Sequence, residues 1–307
     1  MATTETLILS DLIDEALAYL YRAQERPRPA TLHANMTTGA TTLQVTAATE
    51  TQVHITTLLE CESELMLVTG VDRTTTPDTF TVSRGYADTT AVAHTAATAP
   101  VLINPLFPRR EIDRKLREFF ATTANTWLPK MESVKASTTS DAAKWIAMPA
   151  DCVRVLEVRH WSTNTGKIVH VGNWEMHENL PTADFATGKA LAVSAAIFSA
   201  DELIITYIVP HEWVGTGTEA DEITLTFGTR DIPILYAAAT TITGRELTRL
   251  ELDHIEEWNA TQAIAQGVPV RYIQQLWNQF YRRIDEAKRL QYVPKHRPYR
   301  KMPRSLR

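Results

Sequence analysis

The sequence predicts an α+β protein: a small four-helix bundle core that carries two β-rich insertions and ends in an extended basic C-terminal arm. Three observations predict it. Four stretches repeat apolar residues at the i, i+3, i+4, i+7 spacing of an amphipathic helix. Between them lie two long segments in which threonine and alternating apolar residues dominate, the composition of half-buried strands. After Leu290 the chain carries three prolines, six Lys/Arg and no acid, which forbids a compact fold there. The expected division is residues 1–30, 105–133 and 229–291 for the helical core, 31–104 for the first insert, 134–228 for the second and 292–307 for the arm.

The first helix is expected from Ser10, a good N-cap, with Ile13, Ala16, Leu17 and Leu20 on one face. Arg-Pro-Arg-Pro at residues 26–29 ends it, because proline cannot continue a helix and disfavours the helical region before it. In the first insert, Thr42-Leu-Gln-Val-Thr46 alternates as a strand does, and two further strands flank a polar turn before Arg84-Gly-Tyr86. Glu60, Glu62 and Glu64 share a period of two. That spacing suits a metal or acid/base site, and suits better a solvated strand edge that discourages edge-to-edge pairing.

The second helix, Arg109 to Trp127, sets Ile112, Leu116, Phe119, Phe120 and Trp127 on one stripe with its charges elsewhere. The second insert reads as strands at Cys152–Trp161, Ala190–Phe198, Leu203–Val209 and Glu222–Phe227, with Ser199-Ala-Asp201 as a hairpin turn and Pro210 as a strand stop. In the last strand Ile223, Leu225 and Phe227 alternate with Thr224, Thr226 and Gly228, a pattern buried on one face. The third helix starts at Asp231 as N-cap, has Pro233 in its first turn and runs to about Leu252, although its interior Gly244 costs about 1 kcal/mol relative to alanine. The fourth carries Ile273, Leu276, Trp277, Phe280, Ile284 and Leu290. No helix buries its stripe alone, so the four are expected to pack on one another.

The formal charge of −5 hides a separation. Residues 271–307 hold eleven Lys/Arg against Asp285 and Glu286, about +9, which leaves about −14 on the first 270 residues. No run of ~18 apolar residues could span a bilayer. Met1-Ala-Thr-Thr-Glu-Thr lacks the basic start and apolar stretch of a secretory signal, so a soluble intracellular assembly without membrane contact is expected. Cys61 and Cys152, far apart in sequence, read as small buried apolar residues.

Catalytic signatures are missing. Gly215-Thr-Gly-Thr218 is the nearest glycine-rich stretch to a phosphate cradle, but no Lys follows and a strand comes next, so it reads as a flexible connection. His160, His170, His177 and His211 fall within one insert at irregular spacing without Cys or Asp at a metal-ligand interval, and read as surface or edge histidines. No enzyme, cofactor or metal is expected. The features that suggest contact lie at the C-terminus: the helix with Trp277, Phe280 and Tyr281, then the arm. The arm suits a solvated tail, a nucleic-acid binder, or a segment that orders on a partner protein. An acidic body favours the last.

The order of elements resembles the head–tail connector (adaptor) proteins of tailed bacteriophages. Three stretches carry the likeness. One is Glu64-Leu-Met-Leu-Val-Thr-Gly-Val71 with Phe80-Thr-Val-Ser-Arg-Gly-Tyr86, Asp88-Thr-Thr90, His94 and Pro100-Val-Leu-Ile-Asn-Pro105, which is similar to a small β module of phage virion proteins. Another is Met148-Pro-Ala-Asp-Cys-Val-Arg-Val-Leu-Glu-Val158 with Trp174-Glu175 and Thr187-Gly-Lys189. The last joins Arg230-Asp-Ile-Pro233 to Tyr281-Arg-Arg-Ile-Asp-Glu-Ala-Lys-Arg-Leu290. At one corner the chain departs from the pattern: such modules carry a glycine near the acid where this one reads Tyr86-Ala-Asp-Thr89.

The resemblance implies a structural virion protein at the head–tail junction, present in the host cytoplasm during assembly. It would form a homo-oligomeric ring, a dodecamer, beneath the portal protein, meet tail or second connector proteins, and let genomic DNA pass without sequence recognition. The arm residues expected to dock on the portal are Lys295, Arg297, Tyr299, Arg300, Lys301, Arg304 and Arg307, with faces of the second and fourth helices at the ring contacts. The alternative is a DNA-binding or packaging accessory protein that uses the same basic C-terminal segment.

Overall fold

The computed structural model describes residues 4–21, 29–46, 53–96, 99–128, 130–137, 145–162, 166–172, 174–193, 202–226, 228–255 and 267–291. Among them are fifteen strands in four antiparallel sheets and four helical rods, gathered around three separate hydrophobic cores. Sheet, not helix, dominates.

The helical rods are α1 (Leu9–Leu20), α2 (Arg109–Glu118) with its continuation, α4 (Asp231–Ile255) and α5 (Gly267–Gln291). The second rod widens into a π-helical turn over Phe119–Ala124 and finishes as the short α3 (Asn125–Trp127). That wide turn lets the consecutive rings of Phe119 and Phe120 both enter the core, edge to face at 5.1 Å. α4 is the hub, packing against α1, α2 and α5, and its interior Gly244 does not break it.

The expectation of a small four-helix bundle core is overturned. Beside the rods stands a ribbon of β1 (Thr4–Ile8) and β15 (Glu222–Thr226), paired with Leu7 opposite Ile223. Leu7, Ile223 and Leu225 lie in the same core as the helix stripes, so a β ribbon covers the flank of the twelve-residue α1 that another helix would cover in a bundle. Ser10 is not the cap of α1 either. The chain enters from β1 through Ile8, and the first helical N–H groups, of Leu9 and Ser10, donate to the carbonyls of Asp221 and Glu219.

Residues 30–103 form a small curled barrel. Its strands are β2 (Ala30–Thr31), β3 (Thr42–Gln44), β4 (Leu58–Cys61), β5 (Glu64–Asp72), β6 (Thr79–Ser83) and β7 (Pro100–Ile103), in the order β2-β7-β4-β5-β6-β3. The sheet curls until its two edges meet, where Leu32 bridges Val45 and Thr46 N–H donates to Thr31. Inside are Leu43, Val45, Leu59, Met66, Val68, Phe80 and Val101. Cys61 is buried there too, and burial pushes its thiol up to about 12.

The second insert is two sheets on one core. The larger holds β11 (Lys167–His170), β10 (Arg154–Ser162), β14 (Glu202–Val209) and β8 (Lys130–Ser137) in that order. The smaller holds β12 (Trp174–His177), β13 (Ala190–Val193) and β9 (Trp145–Ala147). β14 alternates as its sequence predicts: Leu203, Ile205, Tyr207 and Val209 are buried against Leu191, Val193 and Val158. The expected hairpin turn at Ser199-Ala-Asp201 and the strand end at Phe198 lie outside the described residues.

The departure at Tyr86-Ala-Asp-Thr89 has a backbone signature. After Gly85 (φ 62°), Ala87 and Asp88 also lie in the left-handed region, at φ 53° and 63°. A side chain there costs about 1–2 kcal/mol per residue, part of which glycine would return through its larger unfolded-state entropy. Ala87→Gly is therefore expected to raise the stability of the barrel by roughly 0.5–1 kcal/mol. Urea unfolding is the check, and an unchanged or lowered midpoint would show that the corner is unstrained.

Candidate functional site

The residues that carry the most chemistry lie in two buried polar frames and on one open sheet face. The first frame closes the barrel. Glu64 opens β5 with its side chain fully buried, and five groups converge on its carboxylate. Arg84 donates from Nε at 2.6 Å and from a terminal nitrogen at 2.7 Å, the Gly85 and Val92 N–H groups donate at 3.2 and 3.1 Å, and His94 Nε2 lies at 2.9 Å. The other ring nitrogen of His94 faces Glu62 at 2.8 Å. Arg84 also donates to the carbonyls of Thr37, Ala40 and Val92, so one guanidinium ties three loops to β5. Burial raises the affinity of Glu64 for a proton, but bonds from Arg84, His94, Val92 and Gly85 outweigh it and hold the carboxyl below its ordinary range.

The expectation that Glu60, Glu62 and Glu64 line a solvated edge is thereby corrected. Glu62 sits exposed in the β4–β5 turn at φ 54°, while Glu60 and Glu64 are buried at 1% and 0% exposure. Period two placed the outer pair on one face as read, but that face points inward, where an arginine or a helix terminus meets each carboxylate.

Glu60 belongs to the second frame, the joint between barrel and helical unit. Its Oε1 accepts the first N–H of α2, from Arg109, at 2.6 Å, while its Oε2 is buried without a partner. Desolvation pushes this carboxyl up to about 7, against the lowering effect of Arg109 and with some reinforcement from Glu219. The Arg109 guanidinium turns away to Glu219 at 2.7 Å and Asp14 at 2.5 Å. One turn on, Arg117 joins Asp113 and Asp221 and lies over the Trp213 ring at 5.4 Å.

Asp221 explains the glycine-rich stretch. Gly217 and Thr218 do present N–H groups to an anion, at 3.1 and 3.2 Å, and the anion is the protein's own Asp221 carboxylate. Burial raises its proton affinity, and the Arg117 and backbone bonds lower it further than burial raises it. Gly215-Thr-Gly-Thr218 is thus an ordered nest, not a loose connection.

The third feature is the outer face of the larger sandwich sheet. Trp161, Ile168 and Val169 are 38%, 48% and 45% exposed, and Trp161 pairs directly with Ile168 across β10 and β11. Ile204 lies beside them, half-buried, opposite Arg159. The surrounding charges come in pairs: Glu157 with His170 at 2.8 Å and Arg159 at 3.3 Å, and Lys135 with Glu202 at 3.1 Å.

Of the sites expected from sequence, Lys295, Arg297, Tyr299, Arg300, Lys301, Arg304 and Arg307 lie outside the described residues. The apolar stripes of the second and fourth helices are spent inside the protein, where Ile112, Leu116, Phe119 and Phe120 meet Leu276, Phe280 and Ile284. What α5 shows outside is a polar stripe and Tyr281, stacked on Trp277 at 5.8 Å. The four histidines of the second insert do not converge. His211 is buried rather than at the surface, its Nε2 on the Leu128 carbonyl at 2.7 Å, and burial lowers its proton affinity. Among the described residues no group of His, Cys, Asp and Glu is arranged to hold a metal ion, and no helix is long and apolar enough to cross a membrane. Comparison with protein-family models, with curated proteins and with solved structures finds no match.

Proposed function

We propose that the chain is a structural virion protein, a head–tail connector that joins the portal beneath a DNA-filled capsid to the tail. One observation carries the reading. The residues of the sequence that resemble the phage virion module, Glu64, Arg84, Gly85, Thr89 and His94, are the ones that lock the barrel: each bonds to Glu64 or, for Thr89, to the backbone of Leu65. The likeness thus rests on a physical unit and not on scattered identities. In this reading copies of the chain form a ring of twelve around the DNA path, and the arm orders on the portal. The acidic balance of the first 270 residues keeps the duplex from adhering to the wall. The chain works by being gripped, without a substrate or cofactor.

Removal of residues 292–307 tests the arm. The truncated protein is expected to fold as the parent does, by circular dichroism and melting, and to fail to join portal-bearing capsids in a sedimentation assay. Normal attachment of the truncated chain would remove the arm from the mechanism. A parent chain that shows no mass increase with isolated portal would overturn the connector reading itself.

A further inference from the structure

We infer that the open edge of β11, with the apolar patch of Trp161, Ile168 and Val169, is a self-association surface that takes a second copy of this chain by antiparallel strand addition. β11 hydrogen-bonds to β10 on one side and is an edge of its sheet among the described residues, so its other side offers backbone N–H and C=O groups to a strand. The opposite edge, β8, is built differently. It carries Lys130, Glu132 and Lys135 along eight residues, charges of the kind that discourage pairing, whereas all four residues of β11 are exposed and its centre is Ile168-Val169.

Charge selects the occupant. Next to the patch, Glu157 is matched by Arg159 and His170, and Lys135 by Glu202. The surface has no unbalanced charge that would call for an acidic or basic partner, and a neutral edge is complementary to its own two-fold copy. In an antiparallel pair related by a two-fold perpendicular to the sheet, the outer faces stay on one side, so the Trp161 and Ile168 side chains of both copies adjoin. The exposed patch amounts to a few hundred Å², below the ~800 Å² per partner of a standard stable interface, so the association is weak and concentration-dependent.

The proposal concerns the chain alone and does not rest on the connector reading, which is tested on the portal. Sedimentation velocity of the full chain over roughly 1–200 µM, the span that brackets a weak pair, is expected to show the mass rising from one 34.5 kDa chain towards two. Ile168→Lys with Val169→Lys is expected to hold the mass at one chain throughout, with unchanged circular dichroism. Val169→Cys is expected to give a disulfide-linked pair under mild oxidation, since both native cysteines are buried. A parent chain that stays single over that range overturns the proposal. So does a lysine double variant that pairs like the parent, or a Val169→Cys chain that associates without cross-linking.

Discussion

Replacement of Glu64 by alanine is expected to unfold the barrel locally, at a cost of about 3–5 kcal/mol. The variant leaves the Arg84 guanidinium, whose side chain is 8% exposed, facing three carbonyls and no counter-charge. It also strips His94 Nε2 and the Gly85 and Val92 N–H groups of their acceptor. Glu64→Gln should be nearly as damaging, because an amide brings two donors into a site built wholly of donors. Amide hydrogen exchange is the suitable readout, since the barrel has its own core and can open alone. The amides of β5 and β6 should lose protection while those of α4 and α5 keep theirs. A loss under about 1 kcal/mol would mean that Arg84 finds water once its partner is gone.

The same residue gives an acid limit. Its folded carboxyl lies below the ordinary value of 4.5, so its contribution is fully present above that value and is lost as pH falls through the folded one.

Much of the local structure was legible, and the reasons for the failures are specific. The stripes at Ile13–Leu20 and Ile112–Phe120, and the alternation at Leu203–Val209, each belong to one short segment whose period states what is buried. A period does not state what covers it. The bundle reading failed there: β1 contributes five residues, too few for a clear alternation, yet it and β15 cap α1. The acids failed for a related reason. Alternation of Glu60, Glu62 and Glu64 looks the same on a wet face and a dry one, and the partners that decide are 20 and 49 residues away. One signal was present. Residues 31–104 hold seven acids but only Arg73 and Arg84 as fixed cations, so each arginine was bound to be committed to an acid, as Arg73 is to Asp78 and Arg84 to Glu64.

Glu60→Gln is expected to do the reverse of the Glu64 variants at neutral pH. Glu60 titrates near 7 in the folded chain against 4.5 when exposed, so the unfolded chain gives up this proton first. Below about 4.5 both states hold the proton and the residue imposes no charge penalty. Between 4.5 and 7 stability falls as pH rises, and above 7 the loss is complete, about 3 kcal/mol for such a shift. Glutamine keeps the carbonyl that accepts from Arg109 N–H and cannot ionise, so its unfolding free energy should lack this slope. Its amide nitrogen would occupy the unpartnered Oε2 position, a fixed cost that displaces the whole curve without tilting it. The slope difference between parent and variant over pH 4.5–7 is therefore the readout, by urea unfolding at several pH values. Asp14 and Glu219 titrate at the same joint through Arg109, and they are common to both chains, so the difference isolates Glu60. Parallel curves would show that water reaches the carboxylate and that the joint between barrel and helices is open.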